Sequence, residues 1–280
     1  MYLLSLQYPS NKPSYDSDGM VSIGTFLNES IGPTYTYNIR IDEDPSADRK
    51  ATFLGNLTGH ISSVCETLSS DPLLNSTSVN AIGFSQGGLF LRGLVETCDS
   101  INVKNLVTFG SPHNGISQFQ SCSDSGIGTL LCAAFEGLLE SATWTDWVQG
   151  NLVPAQYFRD NDDLDSYLES SNWLADINNE REVKSKQYKQ NLASVDRFWM
   201  YKFSEDTVVV KPESEWFDEV FKKDDNETVV KLRERPIYKE DWIGLKTLDS
   251  KGALEFKTAE GQHMNITSEL LFDVFQTMYT

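Results

Sequence analysis

The chain has 280 residues, 39% hydrophobic and 23% charged, the composition of a folded globular protein with room for one large core or two modest ones. Its formal net charge of −18 argues against a polyanion-binding surface, because phosphate binding relies on clustered Lys and Arg to displace counterions; nucleic acid is not an expected partner. No run approaches the roughly 20 apolar residues that cross a bilayer, so no transmembrane segment is expected.

The first residues, Met1-Y-L-L-S-L-Q-Y8, are apolar but lack a basic stretch ahead of them and a small-residue cleavage site, so they are not read as a signal peptide. Thr34 to Ile41 alternates and is rich in β-formers, which predicts a strand. From Asn56 to Leu68 the apolar residues Leu57, Ile61, Val64, Cys65 and Leu68 recur at helical spacing, predicting an amphipathic helix. Val79 to Gly83 reads as a short buried strand and Leu89 to Val95 as a helix, leaving Ser85 in a sharp turn between them. Val103 to Phe109 is a further strand and ends in the loop Gly110-S-P-H-N-G115.

Between about residues 118 and 189 the strand signals stop, and helical patterns such as Leu130 to Leu139 and Trp173 to Glu180 alternate with Gly, Asp and Ser loops. This stretch is read as a helical insertion. Strands return at Arg197 to Phe203 and Ala253 to Thr258, and Glu269 to Tyr279 is an amphipathic closing helix. Strands alternating with helices predict a mostly parallel sheet covered on both faces, an α/β class, in one domain over residues 1–280.

Two features point to a secretory environment. Five sites read N-x-[ST], at Asn28, Asn56, Asn75, Asn226 and Asn265. The cysteines, Cys65, Cys98, Cys122 and Cys132, are even in number and include no C-x-x-C, so disulfides are expected and a metal site is not. Spacing leaves all the pairings open.

The chemistry centres on Gly83-F-S-Q-G87. In G-x-S-x-G the serine occupies a strained strand-to-helix turn that exposes its hydroxyl, while the small flanking residues let strand and helix approach. A serine hydroxyl needs a base, and the chain has only three histidines. His60 precedes the serine in a predicted helix, and His113 follows the next strand too closely to leave an acid between, so it is read as a loop or site-wall residue. His263 comes just after the strand Ala253 to Thr258, where the last strand of such a sheet delivers its base. The acid is expected after Arg197 to Phe203, where Glu205 and Asp206 both stand, with Asp176 as a weaker alternative.

The chain resembles the palmitoyl-protein thioesterases of the lysosomal, α/β-hydrolase type. The residues that carry the resemblance are Gly83-F-S-Q-G-G88, Leu174-A-D-I-N178 with Glu180-Arg181, Ser214-E-W-F217, Gly244-L-K246 with Asp249, and Glu260-G-Q-H263. The resemblance implies Ser85 as nucleophile, Asp206 as acid, His263 as base and the backbone N–H of Gln86 as an oxyanion donor. It also implies disulfides Cys65–Cys98 and Cys122–Cys132, removal of fatty acyl groups from cysteines of S-acylated proteins, a lysosomal or secreted location, and no cofactor. The apolar residues of the insertion, including Leu130, Leu131, Phe135, Leu138, Leu139, Trp144 and Trp147, would line an acyl groove.

The departure is at the start. The family's H-G-x-G-D loop, source of a second oxyanion N–H, is missing; Met1 to Tyr8 offers a substitute strand, followed by Pro9-S-N-K-P13. Proline has no N–H, and loss of one oxyanion donor costs about 10²- to 10³-fold in rate. Residues 1–13 are therefore read as a truncated or mis-joined start of a longer secreted form. The rival expectations are a lipase or oxygen esterase, because a triad does not distinguish S from O esters, and a catalytically impaired acyl-binding relative.

Overall fold

The computed structural model describes residues 2–6, 15–118, 137, 141–223 and 226–279. Its strands are β1 (Tyr2–Leu6), β2 (Tyr35–Asn38), β3 (Ser78–Phe84), β4 (Asn102–Phe109), β5 (Arg197–Phe203), β6 (Glu219–Lys223), β7 (Asn226–Val230) and β8 (Leu254–Ala259). Six of them form one sheet in the order β2-β1-β3-β4-β5-β8, and every pairing in it is parallel. β6 and β7 form a separate antiparallel hairpin.

Parallel neighbours need crossovers, and helices supply them. Before β4 these are α1 (Asp18–Ile31), α2 (Pro45–Ala51), α3 (Leu57–Ser70) and α4 (Gln86–Thr97). Short helices α5 (Asp146–Asn151), α6 (Val153–Gln156), α7 (Leu164–Ser170), α8 (Leu174–Ile177) and α9 (Lys186–Leu192) follow between β4 and β5. The last are α10 (Pro236–Lys239), α11 (Leu245–Ser250) and α12 (Ser268–Tyr279). Side-chain caps start several of them: Ser17 accepts from the Met20 N–H, Asp44 from Ala47 and Asn56 from Gly59.

Because successive strand residues point to opposite faces, the sheet separates two cores. Val79, Ala81, Leu106, Phe198 and Met200 face α3 and α4, together with Trp173, Leu174 and Leu192. Ile82, Phe84, Val107, Phe109, Trp199, Tyr201 and Phe203 face α1 and α12, whose Met20, Ile23, Leu27, Leu271, Val274 and Phe275 close that side. At full burial each such side chain contributes about 1.5–3 kcal/mol. Phe84, Phe109 and Tyr201 stack in sequence, with ring centroids 5.5 and 4.6 Å apart, directly before the loops that leave β3 and β4.

The α/β expectation holds, with differences in detail. The helix expected over Trp173 to Glu180 shortens to α8, because Asn179 takes φ 56° and turns the chain out of the helix. The substitute strand expected from Met1 to Tyr8 is present as β1, Tyr2–Leu6, inserted between β2 and β3. α1 and the β6–β7 hairpin were not anticipated. The expected helix Leu130 to Leu139 lies outside the described residues, Gly137 aside.

Cys65, late in α3, bonds Cys98, just past α4, with Cα atoms 5.8 Å apart. Cys122 and Cys132 lie outside the described residues. The bridge closes a loop of 33 residues, for which chain-entropy arguments give about 3–4 kcal/mol of stabilisation. A Cys65→Ser/Cys98→Ser protein is accordingly expected to unfold at lower urea with the loss of about that free energy; an unchanged midpoint would show that the bridge contributes nothing beyond the packing of α3 on α4.

Candidate active site

β3 ends at Phe84 and α4 starts at Gln86, so Ser85 alone makes the turn, with φ 51° and ψ −130°. Such a backbone conformation costs a non-glycine residue about 1–3 kcal/mol and persists only where the surroundings fix it. They do so here: the Ser85 N–H donates to Phe109 O at 2.7 Å, and the Gly88 N–H donates back to Ser85 O at 3.1 Å. Gly83 and Gly88 make the crossing possible. A Cβ on Gly83 would stand 2.7 Å from the Gly88 nitrogen, and one on Gly88 would stand 2.9 Å from Thr108 Cγ2.

The loop after β8 brings His263 to this turn, its Nε2 3.0 Å from Ser85 Oγ. Gly110 clears the space for the ring, since a Cβ there would meet His263 Cε1 at 2.9 Å. On the far side of the imidazole, Nδ1 lies 2.5 Å from Asp206 Oδ2. Asp206 Oδ1 accepts the N–H groups of Val208 and Val209 at 2.8 and 2.9 Å. Burial by itself raises the Asp206 carboxyl, but the hydrogen bond and charge of His263 and those two N–H groups outweigh it and hold it below its ordinary value. Backbone contacts stitch the two loops together: Ser204 N–H to Ala259 O and Glu205 N–H to Gly261 O, each 2.9 Å.

Gln86 is the first residue of α4, so its N–H has no carbonyl four residues earlier in the helix and lies at the positive end of the helix dipole beside Ser85. Its side chain is held at both ends, by Tyr157 Oη donating to Oε1 at 3.2 Å and by Nε2 donating to Thr52 O at 3.4 Å. β1 runs alongside, with Leu6 paired to Gly83, so its C-terminal end stops next to the turn. An arrangement of hydroxyl, imidazole and carboxylate in line, with an N–H at a helix start, can deprotonate a hydroxyl for attack on a carbonyl and hold the oxyanion formed.

The other residues singled out from the sequence lie elsewhere. Glu205 is exposed, one residue from the buried Asp206. Asp176 pairs with Arg181 at the end of α8. His60 sits on α3 against Gly55, and burial lowers its pKa. His113, read as a site-wall residue, is a core residue instead: it stacks on Phe217 with centroids 5.0 Å apart, and Thr108 Oγ1 is 2.9 Å from its Nε2. Burial and then the Arg92 charge push its pKa well down.

Of the residues expected along an acyl groove, Leu130, Leu131, Phe135, Leu138 and Leu139 lie outside the described residues. Trp144 packs between Phe158 and Tyr167, and Trp147 is 60% exposed. Asn75, Asn226 and Asn265 are exposed, whereas Asn28 and Asn56 are half-buried. Among the described residues no cluster of three His, Cys, Asp or Glu is arranged to hold a metal ion, and no helix is long and apolar enough to cross a membrane. Gly110, Tyr157 and Glu215, which touch the site residues, were not singled out from the sequence; only the stretch containing Glu215, Ser214-E-W-F217, carried a signal.

The family model described as Palmitoyl protein thioesterase matches residues 11–263. Palmitoyl-protein thioesterase 1 of Caenorhabditis elegans is 33% identical over 252 residues, covering 90% of this chain and 83% of that protein. Lysosomal thioesterase PPT2 of Mus musculus is 31% identical over 177 residues, covering 63% of this chain and 56% of that one. The solved structure of Est1E from Butyrivibrio proteoclasticus with bound ferulic acid superposes with a TM-score of 0.50 at 12% identity, covering 99% of this chain and 87% of that one, a likeness of fold. The central parallel sheet, its helical cover and the matched family agree: the chain belongs to the palmitoyl-protein thioesterase family, thioester hydrolases of the α/β-hydrolase fold.

Proposed function

We propose that the protein is a serine thioesterase that removes long-chain fatty acyl groups, palmitoyl above all, from the cysteines of lipidated proteins. The observation that carries this reading is the line from Ser85 Oγ through His263 to Asp206, at 3.0 and 2.5 Å, on a strained strand-to-helix turn. Ser85 Oγ attacks the thioester carbonyl as His263 Nε2 takes its proton, and Asp206 steadies the imidazolium. The carbonyl oxygen becomes an oxyanion facing the Gln86 N–H. As the C–S bond breaks, the cysteine thiolate leaves; it is a better leaving group than an amine, so the return of the proton from His263 is less demanding than in peptide cleavage. Water, deprotonated by the same histidine, then adds to the acyl-enzyme, and the fatty acid departs as Ser85 recovers its proton.

The short helices α5 to α9, between β4 and β5, act in this reading as the cover under which the acyl chain lies. The Cys65–Cys98 bridge, the exposed N-x-[ST] sites and the lysosomal name of the mouse relative favour the lumen of a lysosome or vacuole, or secretion.

The test is turnover of a palmitoyl-cysteine peptide and of a matched oxygen ester by the unaltered chain. Thioester turnover in excess of the oxygen ester is expected. Preference for the oxygen ester would make the protein a lipase or esterase, and lipid binding without turnover would make it an impaired acyl-binding relative.

A further inference from the structure

Beside Asp206 lies a second acid that the reaction does not use. Glu215 sits in the 3₁₀ turn Pro212–Trp216, which packs on β5, and it is 1% exposed. Both of its carboxyl oxygens are buried and lack a hydrogen-bond donor among the described residues. Its carboxyl lies within hydrogen-bonding reach of the Asp206 carboxyl. The Phe203 N–H approaches it but falls outside the geometry of a full hydrogen bond. Two carboxylates in contact and out of water repel strongly, whereas a carboxylic acid beside a carboxylate makes a strong charge-assisted hydrogen bond. One of the orphaned oxygens is thereby accounted for: it becomes the O–H donor and Asp206 is its acceptor.

The proton has a defined home. Asp206 already receives His263 Nδ1 and the N–H groups of Val208 and Val209, all of which favour its charged form. Glu215 has no comparable set. The cation that acts on it is Lys202 of β5, whose ammonium stands 4.3 Å from the centroid of the Trp216 ring. Other charged groups on packed elements have partners of their own: Glu219 of β6 pairs with Arg159 and Arg235, and Lys257 of β8 pairs with Glu255. On its own turn, Lys211 pairs with Glu227, and Glu213 is the remaining acid. Burial, followed by the Asp206 charge, pushes the Glu215 carboxyl well above its ordinary value.

We propose that Glu215 is a positioning residue: it keeps a proton, donates it in a hydrogen bond to Asp206, and so holds Asp206 on His263. This rests on the Ser85–His263–Asp206 reading. Ionisation of Glu215 at high pH puts a second negative charge against Asp206 and displaces it from His263. Activity therefore belongs to the acidic side of the Glu215 titration, as an enzyme of an acidic compartment requires.

The experiment compares Glu215→Gln and Glu215→Ala with the unaltered protein in palmitoyl-thioester kinetics across pH, together with infrared difference spectra. The glutamine amide can donate to Asp206 without ionising. Glu215→Gln is expected to keep kcat within about threefold at acidic pH and to stay active further into the alkaline range. Glu215→Ala is expected to lose about tenfold or more in kcat with KM little changed, because the lost hydrogen bond acts through Asp206 and not on substrate. In the infrared, a protonated-carboxyl C=O band present near neutral pH is expected to vanish in Glu215→Gln.

A missing band, or a Glu215→Gln protein as impaired as Glu215→Ala with an unmoved alkaline limb, overturns the proposal. The band is also recorded in Ser85→Ala. Its presence there tests Glu215 independently of turnover, whereas full activity of Ser85→Ala would instead remove the nucleophile assignment.

Discussion

Ser85→Ala is expected to lower kcat for palmitoyl-thioester hydrolysis by about 10⁴-fold or more, with the far-UV spectrum and unfolding midpoint little changed. The magnitude follows from the proposed role: a nucleophile without Oγ forms no acyl-enzyme, and what remains in that reading is attack by water on a carbonyl held near one helix-start N–H. Alanine tolerates φ 51° no better than serine, and the backbone bonds that fix the turn, from Ser85 N–H to Phe109 O and from Gly88 N–H to Ser85 O, do not involve the hydroxyl. Stability is therefore a clean control. His263→Ala is expected to fall to the same floor, and the double variant no further, because groups that act as one unit do not add. Asp206→Asn is predicted to cost about 10⁴-fold by stabilising the wrong imidazole tautomer, although Asn keeps the shape of the side chain. Losses that added in the double variant would mean that Ser85 and His263 act separately, and the triad reading would fail.

The parts of this site that were legible in the sequence are those with a local signature. Gly83-F-S-Q-G87 stood out because a short buried strand and a helical pattern meet across it, and His263 because so few histidines compete for its place. Asp206 and Glu205 are adjacent and chemically alike; what separates them is that the chain turns after β5 so that one is buried under two N–H groups and the other is exposed. No one-dimensional pattern contains that difference.

The roles of Gly110, Tyr157 and Glu215 were not legible for a related reason, although Glu215 lies in a stretch that carried a signal. Their partners are His263, Gln86 and Asp206, and only the sheet order brings these pairs together. α1 shows another limit: Met20, Ile23 and Leu27 are helically spaced, but Gly19 and Gly24 and several β-branched residues dilute the signal, and burial against α12 stabilises the helix. The short strands β6 and β7 carry mostly charged or exposed residues, so their alternation was weak.

The largest loss of stability is expected at Arg159→Ala, about 3–5 kcal/mol at neutral pH, measured by urea unfolding. Arg159 is 4% exposed and forks between two acids whose side chains are 6% and 16% exposed, with Nη2 3.0 Å from Glu180 Oε1 and Nη1 2.6 Å from Glu219 Oε1. Its guanidinium also lies 5.2 Å from the centroid of Tyr167, whose hydroxyl donates to Glu180 Oε2 at 2.5 Å. Burial disfavours the Arg159 charge, but Glu180, Tyr167 and Glu219 outweigh it and raise its pKa. Burial likewise pushes Glu180 up, and Arg159 and Arg235 more than reverse this, leaving it below its ordinary value.

The sign of the pH effect follows. A carboxyl depressed in the folded state contributes stability above its unfolded pKa, and that contribution is lost as pH falls through the folded value. Without Arg159, Arg235 at 3.6 Å is the remaining cation paired with Glu180 among the described residues, so Glu180 takes up its proton at higher pH than in the unaltered protein. The deficit of Arg159→Ala should thus be greatest near pH 7 and shrink towards pH 4 as protonation relieves the stranded charge. A deficit equal at both pH values would assign the loss to packing of the side chain over Tyr167, and Arg159→Lys, which keeps one charge but cannot fork, is expected to lie between the two proteins.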